Sequence, residues 1–328
     1  MLAGQKVLVT GAGGFIGSHL TEALVRAGAD VTAMIKYNSM SSWGNLEFCE
    51  PEVKKHVQVL AGNIEDSDLV FHAVKDKSIV FHLAALIAIP YSYVAPRSYV
   101  RTNVEGTLNV LEAARRLEVQ RVVHTSTSEV YGTAVRVPID EDHPLQAQSP
   151  YSASKIGADK IAEGFFRSFQ TPVVTVRPFN TYGPRQSARA FIPTIIAQAL
   201  EREAIELGAL EPQRDMTFVT DTVAGFLAAA TAPGVAGETI NLGTGTTHGI
   251  GAFAARIMQL MGATKPIRQD PRRVRPPNSE VLKLVADSSK ARRLLGWEAK
   301  TPLDDGLRAA IDFVARHRDL YKPHLYAL

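Results

Sequence analysis

The 328-residue sequence predicts an α/β fold: a doubly wound parallel sheet, Rossmann-like, with a smaller, discontinuous C-terminal substrate-binding lobe. Short runs rich in β-branched residues alternate with amphipathic helical stretches through the first half. The first of these runs leads directly into a glycine-rich turn, and the alternation stops after Pro178.

The first strand is KVLVT at 6–10, followed by the turn Gly11-Ala12-Gly13-Gly14-Phe15-Ile16-Gly17 and the helical stretch SHLTEALVRAG at 18–28. VTAMI (31–35), VQVLAG (57–62), SIVFHLAA (78–85), RVVHTST (121–127) and VVTVRP (173–178) supply strands two to six. Runs that are apolar throughout belong to strands covered on both faces, and intervening helices such as NVEGTLNVLEAARRL (103–117) imply crossovers to parallel neighbours. Beyond Pro178 the sequence predicts helices at AFIPTIIAQAL (190–200) and DTVAGFLAAAT (221–231), with short strands IELG (205–208) and TINLG (239–243). The expected division is a dinucleotide-binding domain over 1–178, with 215–244 returning to it, and a lobe made of 179–214 and 245–328. The Pro- and Arg-rich stretch 265–277 reads as a long surface loop.

Hydrophobic residues make up 45% and charged residues 21%, ordinary values for a globular chain, and no apolar run is long enough for a membrane span. The N-terminus lacks the pattern of a secretory leader, so the expected location is cytoplasmic. A single cysteine, Cys49, excludes an internal disulfide and has no Cys or His neighbours at metal-ligand spacing, so no metal is expected. A net charge of +3 with dispersed basic residues argues against nucleic acid as a partner.

Gly11, Gly14 and Gly17, between a strand and a helix, permit a tight turn, close approach of backbone to a pyrophosphate and close helix packing. Phe15 and Ile16 open the helix whose free N–H groups would face that anion. Asn63 and Ile64, after the third strand, should flank an adenine, and Leu83, Ala84 and Ala85, after the fourth, should pass beneath the cofactor. An acidic residue at the end of the second strand would mark NAD. Here Lys36 stands in that region, with Asn38 and Ser39 beyond it, so the reading leans to NADP while NAD stays open.

Tyr151 and Lys155 are one helical turn apart, so both side chains reach one face. An ammonium beside a phenol favours phenolate and would bring Tyr151 towards the range of a general base. Thr125-Ser126-Thr127-Ser128-Glu129-Val130-Tyr131-Gly132 precedes the pair at the end of the fifth strand.

With these motifs, together with Asn103-Val104-Glu105-Gly106-Thr107, Arg177-Pro178-Phe179-Asn180 and Arg214-Asp215-Met216-Thr217, the chain resembles the extended short-chain dehydrogenase/reductase superfamily over nearly its whole length. Within it, the chain is similar to the NAD(P)-dependent sugar-nucleotide dehydratases and epimerases. The resemblance implies that Thr127 bonds the sugar O4, Tyr151 removes its proton, and Lys155 anchors the nicotinamide ribose. It makes Glu129 the base for the C5 proton of a dehydratase. Ser128 stands where many dehydratases carry an aspartate, which points away from a dTDP-glucose enzyme. The stretches 87–100 and 185–190 resemble the legionaminic-acid-type dehydratases, which implies UDP-N-acetylglucosamine, or the GDP form, as substrate. Tyr91 would then line the sugar pocket, Asn180, Arg214 and Arg275 would hold the diphosphate, and Arg185 and Arg189 are further substrate contacts. Sugar-nucleotide 4-epimerisation, UDP-glucuronate decarboxylation and a non-catalytic NADP-sensing role are the alternatives. Relatives pair the helices around 103–117 and 151–169 across a two-fold axis, which implies a homodimer.

Overall fold

A computed structural model of the chain describes residues 2–325. Seven parallel strands form the central sheet: β1 (Lys6–Thr10), β2 (Asp30–Lys36), β3 (Val57–Gly62), β4 (Ile79–His82), β5 (Arg121–Thr125), β6 (Val173–Pro178) and β7 (Thr239–Leu242). Their spatial order is β7-β6-β5-β4-β1-β2-β3, so the strand sequence reverses between β1 and β4. At such a reversal the flanking connections leave in opposite directions, opening a crevice at the carboxyl ends of the strands.

Both faces of the sheet are dry. On one face Val7, Val9, Val31, Val123, Val174 and Val176 pack under helices α1 (Phe15–Arg26) and α5 (Val219–Thr231). On the other, Leu8, Val80, Val122 and Val173 pack under α2 (Ser67–Val74), α3 (Gly106–Arg116) and α4 (Pro150–Phe169). Alternate residues of one strand thus enter different cores, which is why these strands are apolar throughout.

The second lobe has its own core, built from Ile192, Ile195, Phe253, Ile257, Leu307 and Phe313 on helices Phe191–Glu201, Ile250–Met261 and Leu303–Arg316. Part of the stretch expected as loop is regular: Ile267–Gln269 forms a parallel strand against Ile205–Leu207. Three residues between a proline and an Asp-Pro step are too few to show a period, and their pairing partner lies sixty residues upstream.

The lobes are clasped at Arg185, which has φ +68, a left-handed conformation that only surrounding contacts make tenable for a non-glycine residue. Its guanidinium reaches Glu22 of α1 at 2.9 Å and the Phe48 carbonyl at 3.2 Å, and its side chain and that of Glu22 are only 9% and 11% exposed. One turn earlier on α1, His19 meets the Pro184 carbonyl at 3.0 Å. Burial, and then the charge of Arg185, push His19 down to about 4, so the ring is neutral and donates through Nε2. Asn45 closes the clasp by donating to the Arg185 carbonyl at 3.1 Å.

Replacing Arg185 by Met should lower the unfolding free energy in urea by about 2 kcal/mol. The loss stops short of the full cost of an orphaned buried carboxylate because Arg26 still bonds Glu22 at 2.8 Å. Adding Glu22→Gln should restore part of it, whereas a loss below about 0.5 kcal/mol, typical of surface changes, would show that the clasp carries no load.

Candidate active site

A cleft of about 690 Å³ runs along the carboxyl ends of β1 to β6. At its floor β1 and α1 meet almost backbone to backbone. A methyl group on Gly17 would lie 2.2 Å from the Gly11 carbonyl oxygen, and one on Gly11, which has φ +70, would lie 2.8 Å from the Ala84 nitrogen. The N-cap of α1 is Gly14, whose lack of a side chain leaves the first turn without a side-chain acceptor, and that turn carries no acidic residue. Phe15, Ile16 and Gly17 line the cleft there. Bare N–H groups at a helix N-terminus, with backbone close behind, fit a dinucleotide pyrophosphate.

The β4 end is fixed by Thr10, whose hydroxyl accepts from the backbone of Leu83 and Ala84, both at 3.1 Å. Its own proton therefore goes to His82 Nδ1 at 2.9 Å, and His82 Nε2 donates to Thr107 at 3.0 Å. This neutral tautomer agrees with burial, which holds His82 well below the usual histidine range. Leu83, Ala84 and Ala85 then line the cleft, with Asn63 and Ile64 from the end of β3 and Lys36 and Asn38 from the end of β2. Asn38 is largely spent on its own turn: Oδ1 accepts from Met40 at 3.2 Å and Ser42 at 3.0 Å, and Nδ2 donates to the Ser42 carbonyl at 2.8 Å.

Across the cleft, Ser149 and Ser152 form a reciprocal cap that starts α4 at Pro150, which puts Tyr151 in its first turn and Lys155 one turn on. Thr127 caps the short turn Ser128–Tyr131, accepting from the Glu129 backbone at 3.2 Å. Thr127, Ser128, Glu129, Tyr151 and Lys155 all line one cavity, and Glu129 is 8% exposed. The phenol and ammonium do not form the expected couple. Lys155 Nζ donates to the Thr125 carbonyl at 2.6 Å, and burial pulls the lysine down to about 8. Tyr151 is pushed up, first by burial and further by the charge of Glu129, with the Thr127 hydroxyl opposing. Desolvation outweighs the proximity that the spacing suggested.

Of the residues expected to bind substrate, Asn180, Arg189 and Arg275 line the cleft. The Asn180 carboxamide oxygen is buried without a hydrogen-bond partner among the described residues, an unspent polar group at the wall. Tyr91, Arg185 and Arg214 do not line it. Tyr91 lies on the short helix Ile89–Val94, which turns Ile89 and Ser92 inward; Tyr91 is 38% exposed, and Ile87, Ala88 and Ile89 take its place at the wall. Arg185 is consumed by the lobe clasp. Arg214 is buried behind Arg275, donating to the Val281 carbonyl at 2.7 Å and to Glu280 at 3.0 Å, and Arg275 shares that Glu280 oxygen at 3.4 Å.

Sequence reasoning assigned no site role to several residues that shape the cleft. Asn103 holds Leu86 through both its amide and its carbonyl, at 2.8 and 2.9 Å, and donates to Ser154 of α4 at 2.9 Å. It sits in a π-helical stretch, Val100–Glu105, whose wider turn aims it there. Glu65 and Thr102, bonded to each other at 2.7 Å, line the wall beside Ile64. Neither carries a local sequence signal.

The profile of the GDP-mannose 4,6 dehydratase family matches residues 8–310. A UDP-glucose 4-epimerase of Mycolicibacterium smegmatis is 31% identical over 94% of this chain and 98% of its own length. The fold matches DesIV, a dTDP-glucose 4,6-dehydratase of Streptomyces venezuelae solved with NAD bound, with a TM-score of 0.89, 28% identity and coverage of 97% and 99% of the two chains. It also matches a UDP-glucuronic acid 4-epimerase of Bacillus cereus solved with UDP-glucuronic acid and NAD, with a TM-score of 0.87, 29% identity and coverage of 95% and 99%. Epimerases and dehydratases are thus about equally similar, and the chain belongs to the GDP-mannose 4,6-dehydratase type of extended short-chain dehydrogenases/reductases, the NDP-sugar epimerases and dehydratases.

Proposed function

We propose that this protein is a sugar-nucleotide 4,6-dehydratase acting on UDP-N-acetylglucosamine or its GDP counterpart. The observation that carries the reading is Glu129, a carboxylate in the same cavity as Thr127, Tyr151 and Lys155. Epimerisation at C4 needs one base and a ring free to turn, whereas loss of water across C5 and C6 needs a further group that takes a C–H proton and returns it to a leaving hydroxyl. When bound, the nicotinamide would supply the redox chemistry, a hydride withdrawn at the sugar C4 and returned at C6 after water is lost, so that a 4-keto-6-deoxy sugar results with no net consumption of cofactor.

Tyr151 takes the O4 proton. Burial keeps its own proton on, so the charge of Lys155 has to be brought to bear. Only one of the three ammonium N–H groups is spent on Thr125, which leaves donors for the phenol and the ribose. Thr127 orients O4. Glu129 then strips the C5 proton, acidified by the adjacent ketone, and delivers it to the C6 hydroxyl as water leaves; Ser128 has no titratable proton for that step. Asn180 and Arg275 hold the diphosphate, with Arg189 at its edge, a reading that their presence in the cleft lining supports, and Arg214 supports Arg275 through the shared Glu280.

At the adenosine ribose, Lys36 lines the cleft and β2 ends without a carboxylate, which supports NADP, although solved relatives carry NAD. A homodimer built on α3 and α4 belongs to the same reading.

Incubation with UDP-N-acetylglucosamine should yield a product lighter by one water, and Glu129→Gln should lower kcat about 100-fold or more. An isomer of unchanged mass would make the protein an epimerase, release of CO₂ from UDP-glucuronate a decarboxylase, and no change with any UDP, GDP, dTDP or CDP sugar would end the proposal. Lys36→Ala should weaken NADP about tenfold, the worth of one charge-assisted bond, while sparing NAD; equal effects on both would remove the 2′-phosphate from Lys36. Sedimentation should give a dimer, and a monomer at every concentration would refute it.

A further inference from the structure

Under the Tyr151 and Lys155 pair lies a buried polar cluster that the proposed reaction leaves unused. Its centre is Asp159, one helical turn beyond Lys155 on α4, with a side chain 5% exposed. Oδ1 accepts from His124 Nε2 at 3.1 Å. Oδ2 accepts from Ser126 at 2.7 Å and from two nitrogens of Arg177 at 3.2 and 2.9 Å. Arg177 continues to the Tyr131 hydroxyl at 2.9 Å, and Tyr131 donates to Asn241 at 2.8 Å. One carboxylate on the helix of Lys155 thus grips the segment 125–131 at both ends, at Ser126 directly and at Tyr131 through Arg177. Between those two points lie the Thr127 hydroxyl and Glu129, and next to the first lies the Thr125 carbonyl that receives Lys155.

The cluster also balances charge. Lys155 and Arg177 are buried cations. His82 from β4 and His124 from β5, both facing Lys155, are held below the usual histidine range by burial and are neutral. Tyr151, on the same helix, keeps its proton. Asp159 remains ionised, held down to about 2: burial opposes ionisation, and the His124 bond and the charges of Arg177 and Lys155 overcome it.

We propose that Asp159 is a positioning residue for the reaction: it holds the 125–131 segment in register with Tyr151 and Lys155, and it is the counter-charge that keeps Lys155 an ammonium in a dry site. The proposal rests on Lys155 meeting the dinucleotide, as read above, and not on which product forms.

Removing the carboxylate charge leaves burial unopposed, so Lys155 discharges at lower pH. Dinucleotide affinity, followed by quenching of tryptophan fluorescence, should weaken in the wild type as pH rises through about 8. In Asp159→Asn that weakening should begin about one pH unit lower or more, the sign expected from loss of a nearby opposite charge. Its kcat should also fall about 100-fold with KM changed less than about threefold, as for a misplaced catalytic group.

A purely structural Asp159 would lower the unfolding midpoint and leave the onset of weakening where it is, which would overturn the proposal. Should Asp159→Asn fail to fold, Ser126→Ala decides, since it deletes one bond and leaves the carboxylate ionised. A fall in kcat of about tenfold at an unchanged unfolding midpoint supports the assignment, and an unchanged kcat overturns it. A flat wild-type affinity profile across pH 8 would instead remove Lys155 from the dinucleotide, a failure of the underlying reading rather than of Asp159.

Discussion

The near-contact of α1 with the ends of β1 and β4 is the constraint on which the rest of this molecule depends. Gly17 lies on the Gly11 carbonyl and Gly11 on the Ala84 backbone at distances that exclude any side chain. That approach brings the open N-terminus of α1 to the point where the strand order reverses, so an anion-binding end and a crevice coincide. The other cleft walls are placed relative to this junction. Thr10, the last residue of β1, fixes Leu83 and Ala84, and Asn45 reaches from the Gly13 carbonyl to Arg185 on the far side.

Chemistry in the cleft is governed by desolvation as much as by proximity. Lys155, Tyr151, His82 and His124 are all moved first by burial, and each moves towards its neutral form. Asp159 escapes that trend because four donors converge on it. A site of this kind holds its titratable groups near neutrality by burial, with Asp159 as its fixed charge.

Sequence reasoning reached the features that depend on local spacing. The glycine turn, the one-turn offset of Tyr151 and Lys155, and the six strands before Pro178 are set by residues close in the chain, so their signals survive without coordinates. Arg185, Arg214 and Tyr91 were different. Whether an arginine faces a ligand or a carboxylate depends on the partner the fold supplies: Glu22 lies 163 positions from Arg185 and Glu280 lies 66 from Arg214. Tyr91 sits in a helix of six residues, too short for a periodic pattern to say which side is buried. The electrostatic state of Tyr151 was equally hidden, because burial is a property of the assembled cleft.

Strand β7 pairs along the whole of its length with β6, yet the chain between them passes through the other lobe before returning. During synthesis, β6 therefore emerges with one hydrogen-bonding edge bare, and it stays so until Thr239 has left the ribosome. Val173, Val174 and Val176 on that strand are almost wholly buried in the finished sheet and form the kind of surface on which unfinished chains adhere to one another. The interwoven path thus gives the finished protein a continuous sheet and exposes the nascent one to a period of stickiness. Dividing the gene at Pro178 would make that exposure permanent.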